Sequence, residues 1–455
     1  MTDATILVIE GCAVATVDAA GTEYRDGHVI VCGNRIHAVG AGPAPSVQEQ
    51  ATRIDGRGCL LTPGLVNTHH HLYQWITRGL AADAGLFEWL TTLYPIWAGI
   101  DEDATRVAAT GALTALARTG CTTTTDHHYV FPRDAGDLLA AEIHAAAAVG
   151  LRFHPTRGSM DLGRSAGGLP PDSVVESLDD ILKASADAVA RWHDPSFDSM
   201  LRIGLAPCSP FSVTADLLRE SAVMARELGV RLHTHVAETH DEERYCRETH
   251  GCTPAEYMER LDWVGPDVWW AHAIHLDDTA IATMARTGTG AAHCPTSNAR
   301  IGAGIARLAD LVTAGVPVGL GVDGAASNES GSLIAEPRSA LLFARQRTGP
   351  ESLTTRTALE LATMGGARIL GRAAEIGSLE RGKLADLALW NLQGSAYDGI
   401  DDPVTALVLG SAPPLSALVV NGRIVLRHGE IRTVDDAEVG SQVARAQARL
   451  VEKAG

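Results

Sequence analysis

Histidines stand in a row at His69-His70-His71, and further groups able to bind or move charge recur downstream: His233-Thr-His235-Val-Ala-Glu238, Ala271-His272 and Gly321-Val-Asp323-Gly. In an extended chain residues two apart share a face, so His69 and His71 can reach one ion while His70 points away. One histidine of the second cluster completes a neutral-nitrogen ligand set, and a glutamate just past it is placed to move protons. Each group also has an ordinary reading, since an Asp at a strand end often caps the next helix and a lone His is often a packing residue. Four such groups in this order, each at the end of an apolar run, favour one shared site.

The elements that must position them follow from the rhythm of the middle of the chain. Short β-rich runs alternate with Ala/Leu/Arg stretches of helical period, such as ATRVAATGALTALARTG and TADLLRESAVMARELG. This is the pattern of βα units on a parallel sheet. Eight runs can be picked out: LLTPGLVNTHHH, CTTTTDHHY, RFHPTRGSM, RIGLAPCSP, RLHTHVAE, VWWAHAIH, GTGAAHCPTSN and PVGLGVDG. Nearly all pass from apolar residues into His, Asp, Glu, Cys, Ser or Arg, as the C-terminal strand ends of a (β/α)8 barrel do where active sites lie. Residues 61–371 are expected to form that barrel. Short strands in ILVIEG, CAVATVD and HVIVCGNRIHAVG near the start, and in ADLALWNL, ALVVNG and RIVLRHGEI near the end, lack a core of their own. Residues 1–60 and 372–455 are therefore expected to meet in one small composite β-sandwich. The only lysines are Lys183, Lys383 and Lys453. None ends a predicted barrel strand, so no lysine is placed to be carbamylated between two metals. A single ion is expected, held by two His of the first strand, one His of the fifth and an Asp of the eighth. Zinc suits these ligands, with ferrous iron possible.

Composition narrows the partners. Lys and Arg number 37 against 55 Asp and Glu, a formal charge of −18, which repels phosphate backbones and anionic lipid heads. Neither nucleic acid nor a membrane is expected as a partner; a small neutral molecule is. The opening MTDATILVIEG has no basic segment before its apolar run, and the eight cysteines are scattered without a CxxC. Reduced thiols in a cytoplasm are the expectation.

PGLVNTHHH, HTHVAE, AHAIH and GVDG resemble the amidohydrolase superfamily, in particular its branch of nucleobase and triazine aminohydrolases. The resemblance spans essentially the whole chain, including GSLERGKLADLALW after the barrel. It implies His69, His71, His235 and Asp323 as metal ligands, Glu238 as the proton shuttle and His272 as the group that orients water or substrate. NTHHHLYQWITR, TTTTDHHYVFP, RFHPTRGSMDLG and GVDGAASNES are similar to members that deaminate 8-oxoguanine. The implied reaction converts 8-oxoguanine to urate and ammonia, with isocytosine, guanine or hydroxylated s-triazines as alternatives. Dechlorinating relatives can lack the strand-eight Asp, so Asp323 favours a deaminase. A homo-oligomer is implied by the same relatives, and a non-catalytic scaffold barrel is disfavoured because the whole polar set is kept.

The implied chemistry is hydrolytic. A bound divalent ion lowers the pKa of its water from about 16 toward about 7, so hydroxide is available to attack. Asp323 accepts the water's proton in this scheme, and Glu238 protonates a ring nitrogen beside the carbon under attack. For the substrate pocket the expected residues are Tyr73 and Gln74 after the first metal motif, His128 at the end of strand two and Cys208 at the end of strand four. Gln74 offers both a donor and an acceptor to a lactam edge. Cys208 has no base partner in its motif and is not expected to act as a nucleophile. Asn298 and Arg300, after strand seven, are left between capping and substrate contact.

Overall fold

The computed structural model describes residues 5–47 and 50–454. Eight parallel strands close into a barrel in chain order: β1 (Leu65–Asn67), β2 (Cys121–His128), β3 (Arg152–Ser159), β4 (Gly204–Pro207), β5 (Leu232–Val236), β6 (Val268–His272), β7 (Gly290–His293) and β8 (Val318–Leu320). Every residue of these strands is buried, as expected for a parallel sheet covered by helices on its outer face. β2 reads CTTTTDHH; its β-branched threonines favour extended backbone.

The helices between strands are bounded by local chemistry. Asp101, Asp137, Ser177, Thr214, Thr239, Thr253 and Asp277 accept backbone N–H groups at helix starts. Gly150, Gly229, Gly251 and Gly288 close helices in the left-handed conformation. Such caps satisfy end groups that a helix cannot pair internally.

Both chain ends contribute to one nine-stranded sheet beside the barrel. Its join is Leu387–Asn391, within the late ADLALWNL segment, which pairs antiparallel with Cys59–Pro63 on one side and with Leu415–Val420 on the other. The run LLTPGLVNTHHH is therefore not one strand. Cys59–Pro63 belongs to the outer sheet, and β1 starts only at Leu65. The break falls at Gly64, where a Cβ would lie 2.1 Å from the Thr122 side chain; only glycine leaves room for that side chain against the backbone. Beyond β1, His70–His71 forms a second short parallel pairing with Asp323–Gly324. That pairing brings the ends of strands one and eight together.

Candidate active site

The C-terminal ends of β1, β5, β6 and β8 converge on one buried cluster. His71 Nε2 lies 3.2 Å from His235 Nε2. Asp323 Oδ1 lies 3.2 Å from His69 Nε2 and 3.3 Å from His71 Nε2. A tetrahedral ion with bonds of about 2.0–2.1 Å holds its ligand atoms about 3.3–3.4 Å apart, so these spacings fit a single zinc-sized cation. The ring tautomers agree with that reading. His71 Nδ1 donates to the carbonyl of His127 at 2.7 Å and His235 Nδ1 to that of Cys208 at 2.6 Å, which leaves both Nε2 lone pairs facing the cluster. Burial holds the His69 and His235 imidazoles well below their usual pKa, and a neutral ring is the form that ligates metal.

His233, two residues before His235, also reaches the cluster, but through His69 Nδ1 at 2.8 Å rather than through the nitrogens that face Asp323. His127 stacks on His235 with ring centroids 4.7 Å apart, and its Nε2 is spent on the Ala206 carbonyl at 2.9 Å. Of the two histidines left open on strand five, His235 is the one whose free nitrogen faces His71 and the Asp323 end.

Two carboxyl groups here are pushed apart in acidity. Burial, with Asp323 nearby, raises Glu238 well above the usual carboxyl range. Burial also works to raise Asp323, but the imidazoles of His69, His71 and His272 gathered around it overcome that and hold the carboxyl well below the ordinary value. Such divergence separates a proton donor from a charged carboxylate in one site. The second oxygen of Asp323 accepts from Ser297 Oγ at 2.5 Å and Ser327 Oγ at 3.2 Å. His272 Nδ1 donates to Asn298 Oδ1 at 2.9 Å, which turns its Nε2 toward Glu238 at 3.7 Å and Asp323 Oδ2 at 4.0 Å. Asn298 thus contacts the polar cluster through His272. The backbone behind Glu238 is pinned by Glu242, whose two oxygens accept the N–H groups of Ala237 and Glu238 at 2.9 and 2.8 Å.

A cavity opens onto these groups. Its wall includes Gln74, Tyr129, Cys208 and Phe211, and its roof is the helix Leu86–Trp97 through Leu86, Trp89, Leu90 and Tyr94. Trp89 Nε1 fastens that roof to the Ala326 carbonyl at 3.1 Å, and Arg300 ties the first loop to the eighth by binding the Ala81 carbonyl and Glu329. Both ends of the Gln74 carboxamide are buried without a partner. Burial pushes the Cys208 thiol up to about 12, which removes it as a thiolate nucleophile at neutral pH. Tyr73 and His128 lie outside the cavity lining. Tyr73 packs against Trp97 and His128, while His128 is engaged at both nitrogens, by Glu142 at 2.7 Å and the Val130 carbonyl at 2.8 Å. For Tyr73 the cause is local: a 3-10 turn, Leu72–Thr77, begins directly after His71 and ends the alternation that a strand would continue.

The Amidohydrolase family pattern matches residues 60–425. The chain belongs to that family. Among relatives of this amidohydrolase is the 8-oxoguanine deaminase of Pseudomonas aeruginosa, 41% identical over 440 residues, covering 96% of this chain and 98% of the relative. An isoxanthopterin deaminase from an unknown prokaryote is 36% identical over 92% of this chain and 91% of its own length. A crystal structure of the atrazine chlorohydrolase of Arthrobacter aurescens complexed with zinc superposes with a TM-score of 0.92 at 32% identity, covering 97% of this chain and 100% of that one. No helix among the described residues is long and apolar enough to cross a membrane.

Proposed function

We propose that this amidohydrolase removes the exocyclic amino group of a nitrogen heterocycle, with 8-oxoguanine as the substrate and urate and ammonia as products, and that His69, His71, His235 and Asp323 hold one zinc ion. The observation that carries the reading is the convergence of unprotonated imidazole nitrogens and a carboxylate oxygen at 3.2–3.3 Å, beside a cavity that also presents Glu238 and His272. The choice of 8-oxoguanine is supported by 41% identity to the Pseudomonas enzyme over nearly the full length of both chains. A zinc ion so held supplies a water nucleophile at neutral pH and Lewis acidity.

The chain's own residues supply the remaining steps. Asp323 accepts the proton of the attacking water while Ser297 and Ser327 fix its outer oxygen. Glu238, kept protonated by burial, delivers its proton to the ring nitrogen beside the carbon under attack. The carbon becomes tetrahedral; Asp323 passes the water's proton to the amino group, ammonia leaves, and the hydroxyl proton returns to the Glu238 carboxylate as the carbonyl forms. His272, aimed by Asn298, orients the reacting groups. Gln74 offers its unpaired carboxamide to the lactam edge of the base, and the roof helix excludes water, which strengthens every polar contact inside. The eight unpaired cysteines support a cytoplasmic location.

The test is ultraviolet spectroscopy of zinc-loaded enzyme mixed with 8-oxoguanine, with ammonia assayed in the same tube. The urate spectrum should appear with one ammonia per base consumed. An unchanged spectrum from metal-replete enzyme would sink this substrate and turn attention to isocytosine, guanine and the aminotriazines.

A further inference from the structure

The histidines of the cluster differ in what fixes their tautomers. His71 and His235 each give Nδ1–H to a backbone carbonyl, an atom that can only accept. His69 has no carbonyl at that position. Its Nδ1 faces another ring nitrogen, His233 Nε2, at 2.8 Å, so one of the two must carry the hydrogen and the other must not. The far end of His233 decides between them. Its Nδ1 lies 2.9 Å from the Trp269 carbonyl and so carries a hydrogen, which leaves Nε2 as the acceptor in the neutral ring. His69 therefore donates from Nδ1 and presents Nε2, otherwise unpartnered, 3.2 Å from Asp323 Oδ1.

The relay also closes on itself. The His233 ring stacks on the Trp269 indole with centroids 4.4 Å apart and planes 14° from parallel. Trp269 Nε1 returns a hydrogen bond of 3.0 Å to the carbonyl of Thr68, the residue before His69. His69, His233 and Trp269 are fully buried, so no water competes for these bonds. Strands one, five and six are thus locked to one another by a circuit that passes through the ring of His69.

We propose that His233 is a positioning residue for the metal centre: it fixes the tautomer and orientation of His69 through the circuit His69–His233–Trp269–Thr68. The proposal rests on the reading of His69 as a ligand. His233 itself would touch neither ion nor substrate. Groups that hold a ligating imidazole by its other nitrogen typically govern metal affinity by about 10–100-fold.

Two measurements test it. In zinc-loaded wild-type protein, nitrogen-15 NMR of the histidine rings should show His233 protonated at Nδ1 and unprotonated at Nε2, and His69 protonated at Nδ1; the reverse pattern at His233 overturns the proposal even if no variant folds. In the second, zinc affinity is measured by chelator competition on His233→Phe, which keeps a ring on Trp269 but removes the acceptor, and on His233→Gln, which keeps an acceptor oxygen. His233→Phe should bind zinc about 10–100-fold more weakly and alter the visible spectrum of the cobalt-substituted protein, and His233→Gln should recover most of the affinity. A folded His233→Phe variant with wild-type zinc affinity and cobalt spectrum refutes the role. His69→Ala serves as the separate check on the ligand reading: retention of zinc there would strike the ligand set itself, whatever the His233 variants do.

Discussion

The two ends of the barrel use buried polar groups in opposite ways. At the N-terminal end, opposite charges face each other. Arg152, the first residue of β3, pairs with Asp386 at 2.9 and 3.1 Å, and Arg372 and Arg202 share Glu375 at 2.6 and 2.7 Å. At the C-terminal end, like groups face each other: His71 and His235 bring two unprotonated nitrogens to 3.2 Å, and the Glu238 and Asp323 carboxyls flank one histidine. Backbone strain divides the same way. Ala237, His272, Ala273 and Asp323 all adopt left-handed φ of 50–69°, a conformation that costs a non-glycine residue of order 1–3 kcal/mol. None of the paired groups at the other end does so. The lower end is arranged to hold the outer sheet to the barrel; the upper end spends stability on an arrangement that a cation and a polar substrate would relieve.

The sharpest way to test this division is to change one group at each end and read both stability and turnover. At the upper end, Glu238→Gln keeps the side chain's shape and removes its acid. Turnover should fall about 10²–10⁴-fold with metal content and melting temperature close to the parent's. Wild-type turnover would take Glu238 out of the proton transfers, and loss of metal would make it a ligand instead of a shuttle. At the lower end, Asp386→Ala leaves the buried Arg152 guanidinium without its counter-charge, and removing one partner of a buried pair costs about 3–5 kcal/mol. Urea unfolding should move by that amount while the folded fraction keeps its zinc affinity and kcat. A zinc affinity that changed with Asp386 would show that the two ends are not independent.

Much of the upper end was legible in the sequence because its converging histidines and carboxyls sit at strand ends, where a two-residue spacing and an abrupt change from apolar to polar are visible. HTHVAE and GVDG announce both residue type and place. What was not legible depends on groups without a sequence signature or on contacts across long separations. The carbonyls that orient His71 and His235 belong to His127 and Cys208, and any residue supplies a carbonyl. Asn298 reaches His272 across 26 residues, and Glu142 meets His128 from the helix that follows β2. The separation of Gln74 from Tyr73 turns on the 3-10 turn after His71, which a plain loop following the metal motif does not distinguish. The split of the first long run at Gly64 was hidden for a related reason, since both halves are extended and only their partners differ.

Gln74 brings the contrast down to one side chain, with effects of opposite sign. Its carboxamide oxygen and nitrogen are buried without partners, and it is packed so closely on the eighth strand end that a Cβ on Gly324 would lie 1.8 Å from its oxygen. A buried polar group left unpaired costs about 1–3 kcal/mol. Gln74→Leu, close to it in size, removes that cost and should raise the unfolding free energy of the substrate-free enzyme by about 1–3 kcal/mol. The same change removes the donor and acceptor offered to the heterocycle, so kcat/KM should fall about 10–100-fold, with metal content unchanged. Melts without substrate and steady-state kinetics on the same preparation read both quantities. A variant that loses stability and keeps kcat/KM would make Gln74 a packing residue and remove it from substrate recognition. A gain in stability with a loss in kcat/KM would show at a single position that the upper end of the barrel keeps polar groups unpaired for a ligand.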